Sequence, residues 1–243
     1  SAILNNLVIV TTNSAGGGTL SLKNFKISRH KREARVHTWF DQSDKDKHLY
    51  QDDQGRQPYL VQNGGYDPRG LVFKGNELLR MAHSTGALTG TPTSAPLGNY
   101  YTALFIASRA NDTVARNTFA GTTIDFCMDA NELPKLRRSS GIQFTANQLT
   151  TTKGKQVMYI YLMKEDRFME IHLNDASQTS PTTKVLSSTN RGFDIIGDNH
   201  HTTVSATYGF VGTMNEAILF TKDQTINLPA LKENINNQYE LYS

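Results

Sequence analysis

Cysteine is nearly absent from this chain of 243 residues, since Cys127 is the only one. A lone cysteine excludes an internal disulfide, and its place in the apolar run 123–128 predicts a small core residue rather than a nucleophile. No apolar run approaches the roughly 18 residues of a membrane span. Residues 1–4 lack the basic start and apolar core of a signal peptide, and the missing initiator methionine predicts a processed product or part of a longer polypeptide.

Linkers are also lacking. The seven prolines never cluster, and the one glycine-rich stretch, 16–18, lies between two apolar runs, as in a hairpin turn. We therefore predict a single domain over residues 1–243. The net charge of +3 is too small to identify a partner. A basic run over residues 23–35 has no interleaved aromatics for base stacking, so we interpret it as the solvated face of a strand and not as a nucleic-acid site.

The chain does contain many short apolar or alternating runs separated by turn residues, with little helical periodicity. With 37% hydrophobic residues and a mean hydropathy of -0.47, this pattern is typical of an all-β sandwich with a polar surface. Residues 157–163 and 167–173 form the clearest predicted hairpin. Met169, Ile171 and Leu173 share one predicted buried face of its second strand, which leaves Glu170 and His172 on an available face.

One helix is predicted, at the C-terminus. Asn227 can cap it, Pro229 is tolerated in its first turn, and Leu231, Ile235 and Tyr239 recur at four-residue spacing. Its apolar stripe should pack on the sandwich.

The most informative segment is Val36 to Ser43, which ends in Trp39-Phe40-Asp41-Gln42-Ser43 and precedes Arg56-Gln57-Pro58. Together with Phe73-Lys74-Gly75-Asn76 and the ending 209–242, it resembles the concanavalin A-like lectin/glucanase (laminin G-like) superfamily. The resemblance implies a jelly-roll β-sandwich of two antiparallel sheets with a short C-terminal helix. Such domains occur in phage and viral structural proteins and in bacterial surface proteins, so it also implies a location in a virion, outside the cell or at the cell surface.

We interpret this segment as a fold marker. Trp39 ends an apolar alternation and should be buried, while Asp41, Gln42 and Ser43 should satisfy loop backbone groups, with Gln57 in the same scaffold. The alternative places Trp39 under a sugar ring and Asp41 on a hydroxyl or a metal.

The retaining glucanases of this superfamily carry a Glu-x-Asp-x-x-Glu strand, which holds the acid and the nucleophile roughly 5 Å apart. No such spacing exists in this chain. Glu170 and His172 share a face without a second carboxylate, and a salt bridge or a solvated face is the preferred interpretation of Glu170. We therefore predict no catalytic residues.

The sequence favours a non-catalytic module that binds carbohydrate or another surface polymer, as part of a virion, a fibre or another surface assembly. A purely structural assembly subunit and a glycoside hydrolase are the alternatives. Partners would be a glycan or host-surface polymer and other subunits. No cofactor is required, although Asp44, Asp46, Asp52 and Asp53 offer oxygens to a calcium ion. The candidate ligand-binding residues are Tyr100, Tyr101, Asp198, Asn199, His200 and His201, although 198–201 also fit an ordinary polar turn.

Overall fold

The computed structural model describes residues 33–42, 48–81, 95–96, 100–110, 116–122, 124–129, 131–138, 141–151, 153–183, 192–197 and 209–242. All of these residues lie within one compact unit, residues 31–243. The prediction of one domain over residues 1–243, and that of a hairpin turn at 16–18, involve residues outside the described ranges and stay predictions. No helix in the described ranges is both long enough and apolar enough to cross a membrane.

Short strands dominate the described chain, and a single α-helix follows them. The strands, in chain order, are β1 (Ala34–Arg35), β2 (Thr38–Trp39), β3 (Leu49–Tyr50), β4 (Tyr59–Gln62), β5 (Gly65–Tyr66), β6 (Leu71–Lys74), β7 (Leu79–Met81), β8 (Ala95–Pro96), β9 (Tyr101–Arg109), β10 (Arg116–Thr122), β11 (Ile124–Asp129), β12 (Pro134–Arg138), β13 (Gly141–Thr145), β14 (Gln156–Met163), β15 (Met169–Leu173), β16 (Ala176–Thr179), β17 (Gly192–Ile196) and β18 (Val211–Phe220). Short 3-10 turns span Gln54–Arg56 and Thr225–Asn227, and the helix, α1, spans Leu228–Tyr239.

These strands form two antiparallel sheets. Sheet A has the order β1-β4-β6-β18-β9-β14-β15-β16, with β5 also paired to β4. Sheet B has the order β13-β12-β11-β10-β17-β7-β3-β2, with β8 paired to β17. The inner faces of the two sheets share one core, in which the ring of Phe105 stacks on that of Phe119 at 5.5 Å between centroids. The prediction of an all-β sandwich with a short C-terminal helix is confirmed.

The predicted hairpin is confirmed as β14 and β15, with Met163 opposite Met169. Alternate residues of β15 point into the core, as expected, and Arg167 adopts a left-handed φ of 68° in the turn. Cys127 is buried, and its carbonyl accepts a hydrogen bond from the Tyr161 hydroxyl at 3.2 Å. This bond joins sheet A to sheet B.

Helix α1 lies on the outer face of sheet A, the face turned away from sheet B. Leu228 and Ile235 of the helix are buried there in a second apolar cluster. Asn227 holds the predicted cap position, but its side chain donates to Gln224 Oε1 at 2.8 Å instead of accepting a bond from the helix. The helix ends at Glu240, whose φ of 50° turns the chain back so that Tyr242 can bond to the Asn236 side chain.

Candidate functional site

The outer face of sheet A is divided between two chemically different halves. In the covered half, Leu104 and Ile106 of β9 and Ile160 and Leu162 of β14 are fully buried beneath α1. The open half begins two residues beyond Ile106 on β9. There a row of residues crosses six strands, with one residue from each strand directly opposite the next. From β1 to β14 that row reads Arg35, Tyr59, Val72, Thr213, Ser108 and Gln156.

The open half holds a groove of about 710 Å³, which we call the open groove. Its floor includes Val72, Thr213 and Ser108 from the row of opposed residues. A loop between β5 and β6 forms one wall, and Gly154 lies at its rim. The lining residues are Gln62, 65–69, 72–74, 108–110, Gly154 and 211–213.

The wall loop is held by an ion pair between residues two positions apart. Asp67 accepts bonds from Arg69 Nε at 2.9 Å and from Arg69 Nη2 at 2.8 Å, and Arg69 Nη1 donates to the Gly154 carbonyl at 3.2 Å. Hydrogen bonding to this guanidinium lowers the pKa of the Asp67 carboxyl below its ordinary value. Gly70 closes the loop with a φ of 108°, and a Cβ there would lie 2.2 Å from the Met214 carbonyl oxygen. The loop therefore presents a rigid, planar pair of charged groups.

An exposed tyrosine stands at the helix end of the groove. Tyr66 of β5 is 61% exposed and lies opposite Val61. Tyr239, near the end of α1, has its pKa raised above the ordinary value by burial and then by the neighbouring carboxylate of Glu216, with a smaller contribution from Tyr66. Tyr66 therefore lies on the side of the groove nearer to the end of α1.

A lysine lies at the other end of the open groove, away from α1. Lys74 Nζ lies 4.1 Å from the centroid of the Tyr59 ring, and Arg35 Cζ lies 4.0 Å from the same centroid. Arg35 is engaged, since it donates to the backbone carbonyls of residues 54, 55 and 57, to Glu33 and to the Tyr59 hydroxyl. Lys74 is exposed, and its Nζ forms no ion pair with a carboxylate of the described residues, while its backbone amide donates to Glu77 Oε2 at 2.6 Å. Its three donors remain available to a ligand.

Two polar atoms of the row of opposed residues are buried without a hydrogen-bond partner among the described residues. They are Oγ1 of Thr213, a residue only 5% exposed, and Nε2 of Gln156. Buried polar groups are normally paired with protein or water, and an unpaired one indicates a water or ligand position. The Thr213 hydroxyl marks such a position in the groove floor.

Of the sequence-predicted ligand residues, the structure describes Tyr100 and Tyr101, and neither lines this groove. Tyr101 is fully buried, with its ring 5.9 Å from that of Phe126, so it is corrected from a ligand contact to a core residue. Tyr100 is half-buried at the start of β9. The other four candidates, 198–201, lie outside the described residues, so a site there stays a prediction.

The Trp39 segment lies on β2, an edge strand of sheet B. Trp39 is partly buried against the sandwich core, and Gln42 donates to the Phe40 carbonyl at 3.1 Å. The Asp41 amide donates to His48 Nδ1 at 3.0 Å. Gln57 is buried and donates to the Gln51 carbonyl at 2.7 Å. These contacts agree with a structural role for the segment. Ser43 lies outside the described residues.

No three His, Cys, Asp or Glu side chains come together to hold a metal ion within the described part of the chain. Of the acidic residues considered for calcium, Asp44 and Asp46 are not described. Asp52 contacts His37 Nε2 at 2.9 Å, and Asp53 accepts the Gly55 amide at 2.9 Å. Calcium binding therefore stays a prediction.

The face of β15 opposite the core is not available, contrary to expectation. His172 is 5% exposed, and its Nε2 lies 3.1 Å from Glu170 Oε1, while Lys164 Nζ lies 3.5 Å from Glu170 Oε2. The bond from His172, assisted by Lys164, lowers the pKa of Glu170 to about 2 despite partial burial. Lys232 of α1 lies nearby, so the helix covers this part of the strand. A carboxyl ionised down to such a pH cannot serve as a general acid near neutrality.

Sequence reasoning missed Tyr66, Asp67, Arg69 and Thr213. One signal was present: along β9 the outward side chains change from Leu104 and Ile106 to Ser108, which indicates where the helix stops covering the sheet. The spacing of Asp67 and Arg69 around Pro68 also fits a turn stabilised by its own side chains.

Comparison with known proteins supplies no family. No family model matches the chain, and no curated protein sequence matches it. Solved structures share part of the fold. A Trypanosoma rangeli sialidase in complex with sialic acid is 11% identical, with a TM-score of 0.47, over 76% of this chain and 30% of the sialidase. A Bacteroides ovatus protein, provisionally described as carbohydrate-binding, is 15% identical, with a TM-score of 0.39, over 64% of this chain and 56% of its own.

The chain thus spans less than a third of that sialidase and little more than half of the Bacteroides protein. At these identities and TM-scores the likenesses carry no argument about function. An argument about function therefore rests on the geometry of the open groove alone.

Proposed function

We propose that the protein is a non-catalytic carbohydrate-binding domain and that the ligand lies in the open groove. The observation that carries the proposal is Tyr66, an aromatic side chain 61% exposed beside the planar Asp67–Arg69 pair of a groove with a polar floor. Small-ligand sites combine an apolar surface with a few fixed polar groups, and these three side chains provide both.

A sugar ring offers an apolar face of C–H groups and a rim of hydroxyls. Tyr66 can pack against the face, because an aromatic ring adds contact area with little loss of side-chain entropy. The hydroxyls can donate to the remaining lone pairs of Asp67 and accept from Arg69. Since each group is already held by its partner, binding orders few side chains, which favours affinity.

Hydrolysis has no support from the described groove residues. Asp67 is the one carboxylate among them, and Arg69 engages both of its oxygens. A glycosidase of the usual kind needs two carboxyl groups facing the scissile bond. The hydrolase alternative therefore rests on residues outside the described ranges, and the assay below includes it.

A glycan array probed with the wild type and with Tyr66→Ala tests the proposal. Phe40→Ala is the matched control, because Phe40 is 60% exposed and lies near β2 at an edge of sheet B, whereas the groove lies on sheet A. Loss of one aromatic contact of about 1–3 kcal/mol lowers affinity by a factor of about 5 to about 150. We expect that loss for Tyr66→Ala and no loss for Phe40→Ala.

Equal binding by the two variants would exclude the groove as the site. Release of reducing ends from a bound glycan would favour the hydrolase instead. The sequence also suggests a place in a virion, fibre or surface assembly and membership of the concanavalin A-like superfamily, and both belong to this proposal. A purified chain that is monomeric by light scattering and still binds glycan would count against a purely structural role.

A further inference from the structure

The charges along the open groove are unequally balanced. Arg69 is neutralised by Asp67 within the wall loop, through two short hydrogen bonds. At the other end, Lys74 Nζ forms no ion pair with a carboxylate of the described residues, and Arg35 adds positive charge beside the Tyr59 ring. The buried carboxylate of Glu77 accepts the backbone amide of Lys74 at 2.6 Å. Arg35 is only partly offset by Glu33, whose Oε2 lies 3.4 Å from its Nη2. The Lys74 ammonium is therefore the cation that no ion pair with a described residue neutralises at this end of the groove.

The same end offers unused hydrogen-bonding groups. Lys74 Nζ is held over Tyr59 by a cation–π contact, which fixes its position without using its three donors. Diagonally across from Lys74, on β18, lies Thr213, whose buried hydroxyl has no partner among the described residues. An ammonium with unused donors suits an anionic oxygen, because bonds from a charged donor to an anion are stronger than those to a neutral acceptor.

The spacing fits an oligosaccharide. Tyr66 and Val72 both pair with β4, at Val61 and Tyr59, and Lys74 lies two residues beyond Val72 on the same side. Four strand positions thus separate Tyr66 from Lys74, which is roughly 13 Å at the rise of a β-strand. That length accommodates two to three sugar rings, so one ring can contact Tyr66 while an acidic group of another reaches Lys74.

From this we infer that the groove selects an anionic saccharide, with a ring on Tyr66 and the carboxylate or sulfate group of the chain at Lys74. This inference rests on the proposed function, carbohydrate binding in the open groove, and adds the chemical class of the ligand. Carboxylate and sulfate present the same anionic oxygens, and the paired polymers below distinguish the two sources.

Two pairs of polymers isolate the charge. Polygalacturonate is compared with its methyl ester, and dextran sulfate with dextran, by affinity electrophoresis or calorimetry. We expect the charged member of at least one pair to bind about tenfold more tightly than its neutral partner, as a charge-assisted hydrogen bond provides. The pair that shows the difference identifies carboxylate or sulfate.

Lys74→Gln should bring the charged and neutral members to within about twofold of each other, whereas Lys74→Arg should preserve most of the difference. Lys222→Gln is the control, because Lys222 is exposed and lies nine residues beyond Thr213, roughly 30 Å away along β18 and the turn after it. It removes the same unit of charge from the opposite end of the sheet.

The inference is overturned if charged and neutral members bind alike, if none of the four polymers binds, or if Lys74→Gln and Lys222→Gln lose equally. The last result would indicate attraction by net charge alone. The proposed function survives these results if Tyr66→Ala still lowers binding to a neutral glycan on the array. The proposed function itself is overturned if Tyr66→Ala has no effect on binding to any glycan.

Discussion

The two halves of the outer face of sheet A are built from the same strands but serve different purposes. In β9 the outward residues Leu104 and Ile106 lie under α1, and Ser108, the next outward residue, lies in the open groove. In β18 Ile218 packs beneath the helix, whereas Thr213 lies in the groove floor. A change of side-chain polarity within one strand therefore decides where the helix docks and where a ligand can reach the sheet.

The ion pairs of the two halves differ as well. In the covered half, Glu170 contacts His172 and Lys164 within a mostly buried cluster. In the open groove, Asp67 and Arg69 form a pair in which Arg69 is 45% exposed. Burial strengthens electrostatic interactions and solvent screens them, so the first group should matter for stability and the second for binding.

The largest expected effect is a loss of core packing in the covered half. Ile160→Ala removes a fully buried side chain under α1 and should lower the free energy of unfolding by about 2–5 kcal/mol. Val72→Ala, a half-buried position in the groove, should lower it by about 1 kcal/mol or less. Urea denaturation of both variants measures the difference, and equal losses would show that the helix does not form a second core.

A pH-dependent effect of intermediate size should come from Glu170. Its native pKa of about 2 lies below the usual 4.5, so between these values the unfolded chain binds more protons than the native one. The stabilisation is complete above about pH 4.5 and is lost as the pH falls toward 2. Glu170→Gln should cost about 1–3 kcal/mol at pH 7, the range for hydrogen bonds to charged groups, and little at pH 2.

Chemical denaturation of Glu170→Gln and of the wild type at several pH values checks this prediction. Glu165→Gln is a suitable control, because Glu165 is exposed in the turn next to the cluster. A constant difference between Glu170→Gln and the wild type from pH 7 to pH 2 would contradict the ion-pair explanation.

The smallest stability effect should come from Asp67→Asn in the open groove. The asparagine oxygen can still accept the Arg69 amide, which donates to Asp67 Oδ1 at 3.0 Å, so only a partly exposed ion pair is lost. We expect a change of about 1 kcal/mol or less in the free energy of unfolding. Thermal melts test it, and a loss as large as that of Ile160→Ala would mean that the wall loop belongs to the core.

The sequence was informative where structure is local. The hairpin of β14 and β15 and the helix α1 were both predictable, because their periodicity and turn residues lie within a few positions of one another. The sandwich followed from the number of short alternating runs. Burial along β9 was harder to predict, because every residue of the strand is buried and no polar alternation identifies Tyr101 as a core residue.

The open groove could not be predicted in the same way. Tyr66 and Thr213 are separated by more than half of the chain. Successive pairing of β5 with β4, of β4 with β6 and of β6 with β18 places them in one sheet. Strand order of this kind depends on packing over the whole sheet, which no local pattern records. The availability of His172 was misjudged for a related reason, because the helix that covers its strand comes much later in the chain.

The buried state of Cys127 makes site-specific labelling of this protein straightforward. Its thiol is buried on β11 and should react slowly with maleimides while the fold is intact. A single Pro68→Cys change would then place the one reactive thiol on the rim of the open groove, where Pro68 is exposed. A fluorophore attached there would report occupancy of the groove directly, without first removing a native cysteine.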